Sequence, residues 1–394
     1  MKILLTVHTY LPHHDGVQFV TQYLAEGLVK KGHQVTLITY ARQNCPAQET
    51  INGVNVIRWD ASTRYTFHRG DKKGYQNYLL EHINQYDALV NVGTQTALTD
   101  WLFPIFNKIQ IPKILYLHSV WEFKLRRHDF RSFQTLAAKL WANLRWTIYY
   151  ARYGAIFQQY DRVTQLHEMD ESYAFFKNKY GIDSIIMENA AEDSFFTPDT
   201  VADLPLPAHY VVNVSNFIPR KNQKKCLEVF YKSNLPADCQ LILIGSTATS
   251  YLQNLKKYNQ QLRAQYGLKD TEKQVQFLTG VPREHIYTYV KKSSLYLMCS
   301  TWEAFPISLT EAMAAGVPFL SSDVGIVRFL SGGITARTDN EFLFWLNRLG
   351  TDEKLRAYYG NLGHHEAATH YQISGKVDAL EKHLQTICSR RGAL

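Results

Sequence analysis

Short apolar runs alternate with amphipathic stretches along most of this chain. The first run, Ile3-Leu4-Leu5-Thr6-Val7, predicts a buried strand. After a turn at His13-His14-Asp15-Gly16, Val20, Leu24 and Leu28 recur at helical spacing, and Gly32 closes that helix. Residues 33–39 predict a second strand, so the chain opens as a βαβ unit with a right-handed parallel crossover. Further strands are predicted at 87–93, 113–118, 160–166, 210–214 and 275–279, and the apolar runs at 241–245 and 295–299 have the length and composition of buried parallel strands. Near the end, Val377, Leu380, Leu384 and Ile387 make one more helical stripe. The pattern is α/β, with repeated βα units.

One stretch concentrates the chemistry. The run Leu295-Tyr296-Leu297-Met298-Cys299 leads into a loop carrying Glu303, and Ser308-Leu309-Thr310-Glu311 has the S-x-x-E form of a capping box, predicting a helix that starts near Ser308 and ends at Gly316. Val317-Pro318-Phe319-Leu320 begins the next strand. A helix N-terminus thus sits at the carboxyl end of a strand, where open α/β sheets bind ligands and where free amides favour phosphate. Taken alone, Glu311 can simply cap its helix, and Glu303 can be a solvated loop residue.

Composition narrows the classes. With 394 residues the chain can build two domains with full cores. The formal charge of +8 suits an anionic partner, whether nucleotide phosphates, a lipid surface or nucleic acid. No nucleic-acid-binding motif accompanies that charge, and nucleic acid is not expected as a partner. The five scattered cysteines lack C-x-x-C spacing, which argues against a disulfide framework or zinc site and for a reducing compartment. No signal-like or membrane-spanning run is present. The expected location is cytoplasmic, with any membrane contact peripheral at the inner face. Between 121 and 152, Lys124, Arg126, Arg127, Arg131, Lys139, Arg145 and Arg152 interleave with Trp121, Phe123, Phe130, Phe133, Trp141, Trp146, Tyr149 and Tyr150. That mixture suits an anionic membrane face, and equally a helix pair with its aromatics packed inward.

The run E-A-F-P-x-S-L-x-E-A-M-A-x-G-x-P, from Glu303 to Pro318, resembles the E-x7-E signature of the large family of retaining GT-B-fold glycosyltransferases, the glycogen synthase and sucrose synthase-like group. The resemblance implies two doubly wound Rossmann-like domains facing across a cleft, with the last helix crossing back to the first. On that pattern 1–196 forms an acceptor-side domain completed by about 372–394, residues 197–209 a linker, and 210–371 a nucleotide-sugar domain. It implies a nucleoside diphosphate sugar as donor, with UDP favoured over GDP, and a lipid-linked or oligosaccharide acceptor in cell-surface polysaccharide or glycolipid assembly.

The same resemblance distributes roles. Glu303 would hold the donor sugar hydroxyls and Glu311 the ribose hydroxyls. Lys221, with Arg220 and the amides of Ile307, Ser308 and Leu309, would neutralise the leaving diphosphate, since Pro306 has no amide. Asn216 stands where the family usually has arginine. Gly280 and Val281 would hold the base, and Gly16 would approach the donor phosphate. Asp15, in place of a second glycine, and Trp121 fall on the acceptor side. His118, at the end of a strand, would lie near the reacting centre, although a histidine so placed also serves as a structural hydrogen-bonder. No D-x-D pair is present, so no metal site and no cofactor are expected. Two other readings keep the same fold: a non-catalytic partner stabilising an active transferase, and a nucleotide-sugar epimerase.

Overall fold

The computed structural model describes residues 1–392 apart from 14, 65–66, 121–122, 126–129, 131 and 198–202, with backbone alone at 391 and 392. Trp121, Arg126, Arg127 and Arg131 lie outside the described residues. The chain divides into two compact units, one formed by 1–187 with 376–394 and the other by 188–375. Residues 188–196 therefore group with the second unit.

The first unit is built on an eight-stranded sheet. Its strands are β1 Lys2–Thr6, β2 Gln34–Tyr40, β3 Gln48–Ile51 and β4 Val54–Trp59, and, after a separate antiparallel hairpin of β5 Ala61–Arg64 and β6 Phe67–Gly70, β7 Ala88–Val92, β8 Lys113–Tyr116, β9 Arg162–Gln165 and β10 Ile185–Ile186. The order is β10-β9-β8-β7-β1-β2-β4-β3. All neighbours run parallel except β3, which returns antiparallel on β4. The central strands are apolar because helices cover both faces of a parallel sheet: Ile3, Leu4, Leu89 and Ile114 are all fully buried. The two hairpins between 48 and 70 carry little of that pattern, and the sequence reading did not place them. Of their strands, β3, β5 and β6 are only partly buried.

The final helix, Ile373–Gly392, places most of its length in the first unit. Val377, Leu380, Leu384 and Ile387 are buried, as their spacing predicts. Val377 packs directly on Gly27, where an added Cβ would collide with it. Glu381 receives hydrogen bonds from Lys31 at 2.8 Å and pairs with His33 at 2.7 Å.

The second unit has six parallel strands: β11 Tyr210–Val214, β12 Gln240–Gly245, β13 Val275–Thr279, β14 Leu295–Met298, β15 Phe319–Ser322 and β16 Gly333–Ala336. Their order is β13-β12-β11-β14-β15-β16. Counted within the unit, that is the 3-2-1-4-5-6 order of doubly wound nucleotide-binding sheets. The order reverses between β11 and β14, which pair through Val211 with Leu295 and Val212 with Tyr296. A reversal of strand order is where open α/β sheets bind ligands, at the carboxyl ends of the strands. The loops leaving the two strands carry Lys221 and Glu303.

Candidate functional site

In the second unit the loop after β11 closes through a single turn of 3-10 helix, Pro219–Lys221, and Asn222 takes a left-handed conformation with φ of 51°. The loop after β14 lies against it: the amide of Thr301 donates to the Arg220 carbonyl at 2.9 Å. Lys221 Nζ donates to Glu303 Oε1 at 2.7 Å, so two groups read separately in the sequence form one ion pair. Glu303 is buried and Lys221 is half-buried. The Arg220 guanidinium stacks 5.1 Å from the centre of the Trp302 ring, with the residue itself exposed. A cation over an aromatic face keeps its charge while losing some freedom. Asn216 is tied to the loop after β12, its side-chain oxygen accepting from Ser246 Oγ at 2.7 Å. Gly280 has φ of 65° with open space where a Cβ would stand, and Val281 beside it is half-buried.

The helix of the E-x7-E stretch differs from the reading as a capping box. It spans Ile307–Ala314, Pro306 is the N-cap, and no side chain caps it. Ser308 is inside the first turn, two positions past the cap. The reason is Pro306, whose fixed φ of −74° already serves the entry and whose missing amide costs nothing there. The helix ends on Gly316, left-handed at φ of 70°. Ile307 and Ser308 occupy the first two helical positions, whose amides have no acceptor within a helix. Leu309 is different: its amide donates to the Pro306 carbonyl at 3.0 Å and its side chain is fully buried. Of the three amides expected to meet phosphate, two remain available by geometry.

Freed from capping, Glu311 turns to Arg283, at the start of the Arg283–Lys291 helix. Arg283 Nη2 donates to Glu311 Oε1, and Arg283 Nε donates to Glu192 Oε1 at 2.7 Å. Tyr287 donates its hydroxyl to Glu192 Oε2. The guanidinium carbon lies 5.3 Å from the Phe195 ring centre and 5.4 Å from that of Tyr287. Burial pushes the Glu311 carboxyl up, and Arg283 pulls it back down. The two carboxylates in turn hold the Arg283 guanidinium firmly charged, against the cost of its own burial.

Two residues near the unit's chain crossings brace the Glu303 loop. Asn189 Nδ2 donates to the Phe305 carbonyl at 2.7 Å, and the Phe305 ring meets Tyr371 edge-on at 5.4 Å. Gly325, at φ of 53°, lets the next loop pass so close that a Cβ there would strike the carbonyl oxygens of Glu303 and Ala304. Neither Arg283 nor Glu192 was singled out from sequence. Each is a charge at an ordinary exposed-looking position, and only the fold brings them to Glu311.

In the first unit, the carboxyl ends of β1 and β8 carry the other candidates. Asp15 caps the Gly16–Lys30 helix, accepting from the Gln18 amide at 2.8 Å, and pairs with His13 at 3.2 Å. Gly16 is the first residue of that helix. His118 follows β8, with its ring 5.3 Å from that of Tyr116. Its Nε2 is buried and has no hydrogen-bond partner among the described residues. The same holds for His8 Nδ1, Thr9 Oγ1 and Tyr10 Oη. These buried polar atoms cluster in the segments that follow β1 and β8. Burial, and secondarily the neighbouring His8, push the His118 imidazole down to about 4, while Asp15 opposes them. Burial also lowers His8. Both rings are neutral at pH 7. His8 was not singled out from sequence, where it is one polar residue after an apolar run.

Replacing Arg283 with Met leaves two carboxylates without their cation. Breaking a buried pair costs about 3–5 kcal/mol. With the Arg283 side chain 36% exposed, solvent screening reduces the expected loss to about 2 kcal/mol. Urea denaturation should show that loss, and Glu192→Gln with Glu311→Gln in the Met background should recover part of it. A Met variant as stable as the native chain would mean that the clamp carries no net energy.

The neutral His118 makes stability depend on pH. Unfolded histidine takes a proton near 6.5, whereas the folded ring resists to about 4. Stability conferred by neutral His118 is therefore complete above pH 6.5 and declines as pH falls from there towards 4, by up to about 3 kcal/mol. Denaturation across that range should show a shallower decline for His118→Gln than for the native chain. Parallel profiles would remove His118 as the cause.

Comparison with known proteins converges on one family. The model for "Glycosyl transferases group 1" matches residues 201–330, and that for "Glycosyltransferase Family 4" matches 14–165. An uncharacterized glycosyltransferase of Methanocaldococcus jannaschii is 22% identical over 383 residues, covering 92% of each chain. Among solved structures, sucrose-phosphate synthase from Thermosynechococcus elongatus superposes with a TM-score of 0.76 at 18% identity, covering 99% of both chains. Anabaena HepE, solved in complex with UDP-glucose, gives 0.67 at 16% identity and 100% coverage of both. With both family models matched in sequence order, and with parallel doubly wound units like those of the structural relatives, this chain belongs to the GT-B glycosyltransferases, of the group 1 and family 4 kind.

Proposed function

We propose that the protein transfers a hexosyl group from a nucleoside diphosphate sugar to an acceptor hydroxyl with retention of anomeric configuration. The observation that carries this reading is the pairing of Lys221 with Glu303 at the point where the second sheet reverses its strand order. The cation and the first two amides of the Ile307–Ala314 helix supply positive charge where a diphosphate would develop negative charge. Arg220, stacked on Trp302, is a second cation beside them. Glu303 would accept hydrogen bonds from the donor sugar, and Glu311, paired with Arg283, from the ribose. Gly280 and Val281 would meet the base through their backbone.

In this mechanism the diphosphate leaves as its charge is neutralised by Lys221, Arg220 and the amides. The oxygen released from the anomeric carbon takes the proton of the incoming hydroxyl on the same face. His118, kept neutral by burial, would offer a hydrogen bond at the reacting centre without adding a charge. The reading requires no metal and no cofactor. UDP is the favoured nucleotide, supported by the UDP-glucose found in HepE. The favoured acceptor is lipid-linked or an oligosaccharide, in surface polysaccharide or glycolipid assembly at the inner membrane face, with Asp15 and Trp121 on the acceptor side. The exposed basic and aromatic residues between 123 and 152 support an acceptor carried on an anionic surface.

Calorimetry with UDP and UDP-sugars tests the donor site. A ligand at about 100 times its dissociation constant adds about 2.7 kcal/mol to folding stability, so a thermal-shift screen identifies the nucleotide first. Glu311→Gln should then weaken donor binding about tenfold, which is about 1.4 kcal/mol, with a small change in Tm because Arg283 keeps Glu192. Unchanged affinity would reduce Glu311 to a structural partner of Arg283. Transfer should persist after exhaustive EDTA treatment; turnover lost with EDTA and restored by Mg²⁺ or Mn²⁺ would overturn the metal-free mechanism. Product analysis with labelled donor separates transfer from epimerisation, and donor binding without any turnover across acceptors would identify a non-catalytic partner.

A further inference from the structure

The helix Phe133–Phe157 has two apolar faces. One belongs to the core: Ala142, Trp146, Tyr149, Tyr150 and Phe157 are buried. The other faces out. Phe133 is 86% exposed, Trp141 66%, Leu144 52%, Ile148 58% and Leu140 50%. Exposed alanines at 137, 151 and 155 continue the line. Positions 137, 141, 144, 148, 151 and 155 alternate steps of four and three, so they form a single stripe along the helix. At about 1.5 Å per residue the stripe runs for about 27 Å. Such a continuous apolar surface is uncommon on a free globular chain and marks an interaction site.

Charge identifies the occupant. The helix contains Lys139, Arg145 and Arg152 and no acidic residue. Arg145 and Arg152 are seven residues apart and fall on the same flank of the stripe, at about 100° per residue. Their guanidinium carbons lie 5.1 Å from the Trp146 ring centre and 5.7 Å from that of Tyr153, which braces both arginines along that flank. A second copy of this helix would bring more arginine and no carboxylate. Anionic lipid headgroups complement the positive charge of that flank, while the stripe enters the acyl boundary beneath them. No helix among the described residues is long and apolar enough to cross a membrane, so the contact would lie in the plane of the surface.

We infer that the outward stripe of Phe133–Phe157, with Trp141, Leu144 and Ile148 at its centre and Arg145 and Arg152 along its flank, docks this chain onto an anionic lipid bilayer. The inference deepens the proposed function and rests on it: this face is the one that meets the surface carrying a lipid-linked acceptor.

The test is flotation of the full chain with vesicles of phosphatidylcholine alone and of phosphatidylcholine with an equal share of phosphatidylglycerol. The native chain should bind the mixed vesicles at least about tenfold more tightly, with affinity falling as salt rises. Trp141→Glu with Leu144→Glu and Ile148→Glu should abolish binding. Arg145→Gln with Arg152→Gln should weaken it severalfold and flatten its salt dependence. Equal binding by native and triple-Glu chains, or indifference to lipid charge, would overturn the inference. So would light scattering that shows a native dimer and a monomeric triple variant, because the stripe would then be covered by a second copy. UDP binding, measured without vesicles, reports on the variants' folding and on the transferase reading separately. Vesicle binding absent with UDP binding intact rejects the docking face alone. UDP binding absent with vesicle binding intact rejects the transferase reading alone.

Discussion

The second unit is organised around one cation, Arg283, that pairs with two carboxylates. Burial opposes the charge of Glu311, and Arg283 pairs with both Glu311 and Glu192 through one planar fork. Lysine could not replace it equally, because a point charge cannot address two carboxylates from different segments with fixed directionality. The aromatic walls of Phe195 and Tyr287 then fix the plane of the guanidinium. Through this one residue the segment entering the unit, the Arg283–Lys291 helix and the E-x7-E helix become a single construction. The Lys221–Glu303 pair stands on it, since Glu303 belongs to the loop that feeds that helix.

Much of the fold was legible because parallel sheets leave a strong trace. Strands covered on both faces are apolar throughout, and the helices between them carry a clear stripe. The buried runs at β1, β2, β7, β8, β11, β12, β14 and β15 were read from that trace. The antiparallel hairpins at 48–70 were not, because half-exposed edge strands such as Gln48–Ile51 lack it. The helix start at Ser308 was misplaced for a local reason. Ser-x-x-Glu satisfies the capping pattern, but Pro306 two residues earlier already fits a helix entry, and Glu311 had a stronger partner than a backbone amide.

The site was legible where chemistry follows strand ends and hidden where it depends on approach across the fold. Lys221, Glu303, Glu311 and His118 each follow a recognisable strand or motif. Arg283 and Glu192 are far apart in sequence and follow no motif, so no spacing connects them. His8 was hidden for a different reason: nothing in the residue itself distinguishes a neutral buried imidazole from an exposed one. The aromatic and basic stretch before residue 152 left open from sequence which aromatics pack inward, and the described part divides them. Trp146 and Tyr149 turn inward, while Trp141 and Ile148 turn outward.

The Asn189 strap has a consequence for how sequence variation in this chain is to be interpreted. Its carboxamide holds the Phe305 carbonyl although 116 positions separate them. Position 189 is therefore, in effect, part of the 303–306 loop: it sets the loop's tension as a peg sets a string's. Variation there belongs in one statistical block with the E-x7-E stretch rather than with its own neighbours along the chain. Chimaeras that exchange the second half of this protein at the start of β11 would exchange the string and leave the peg behind.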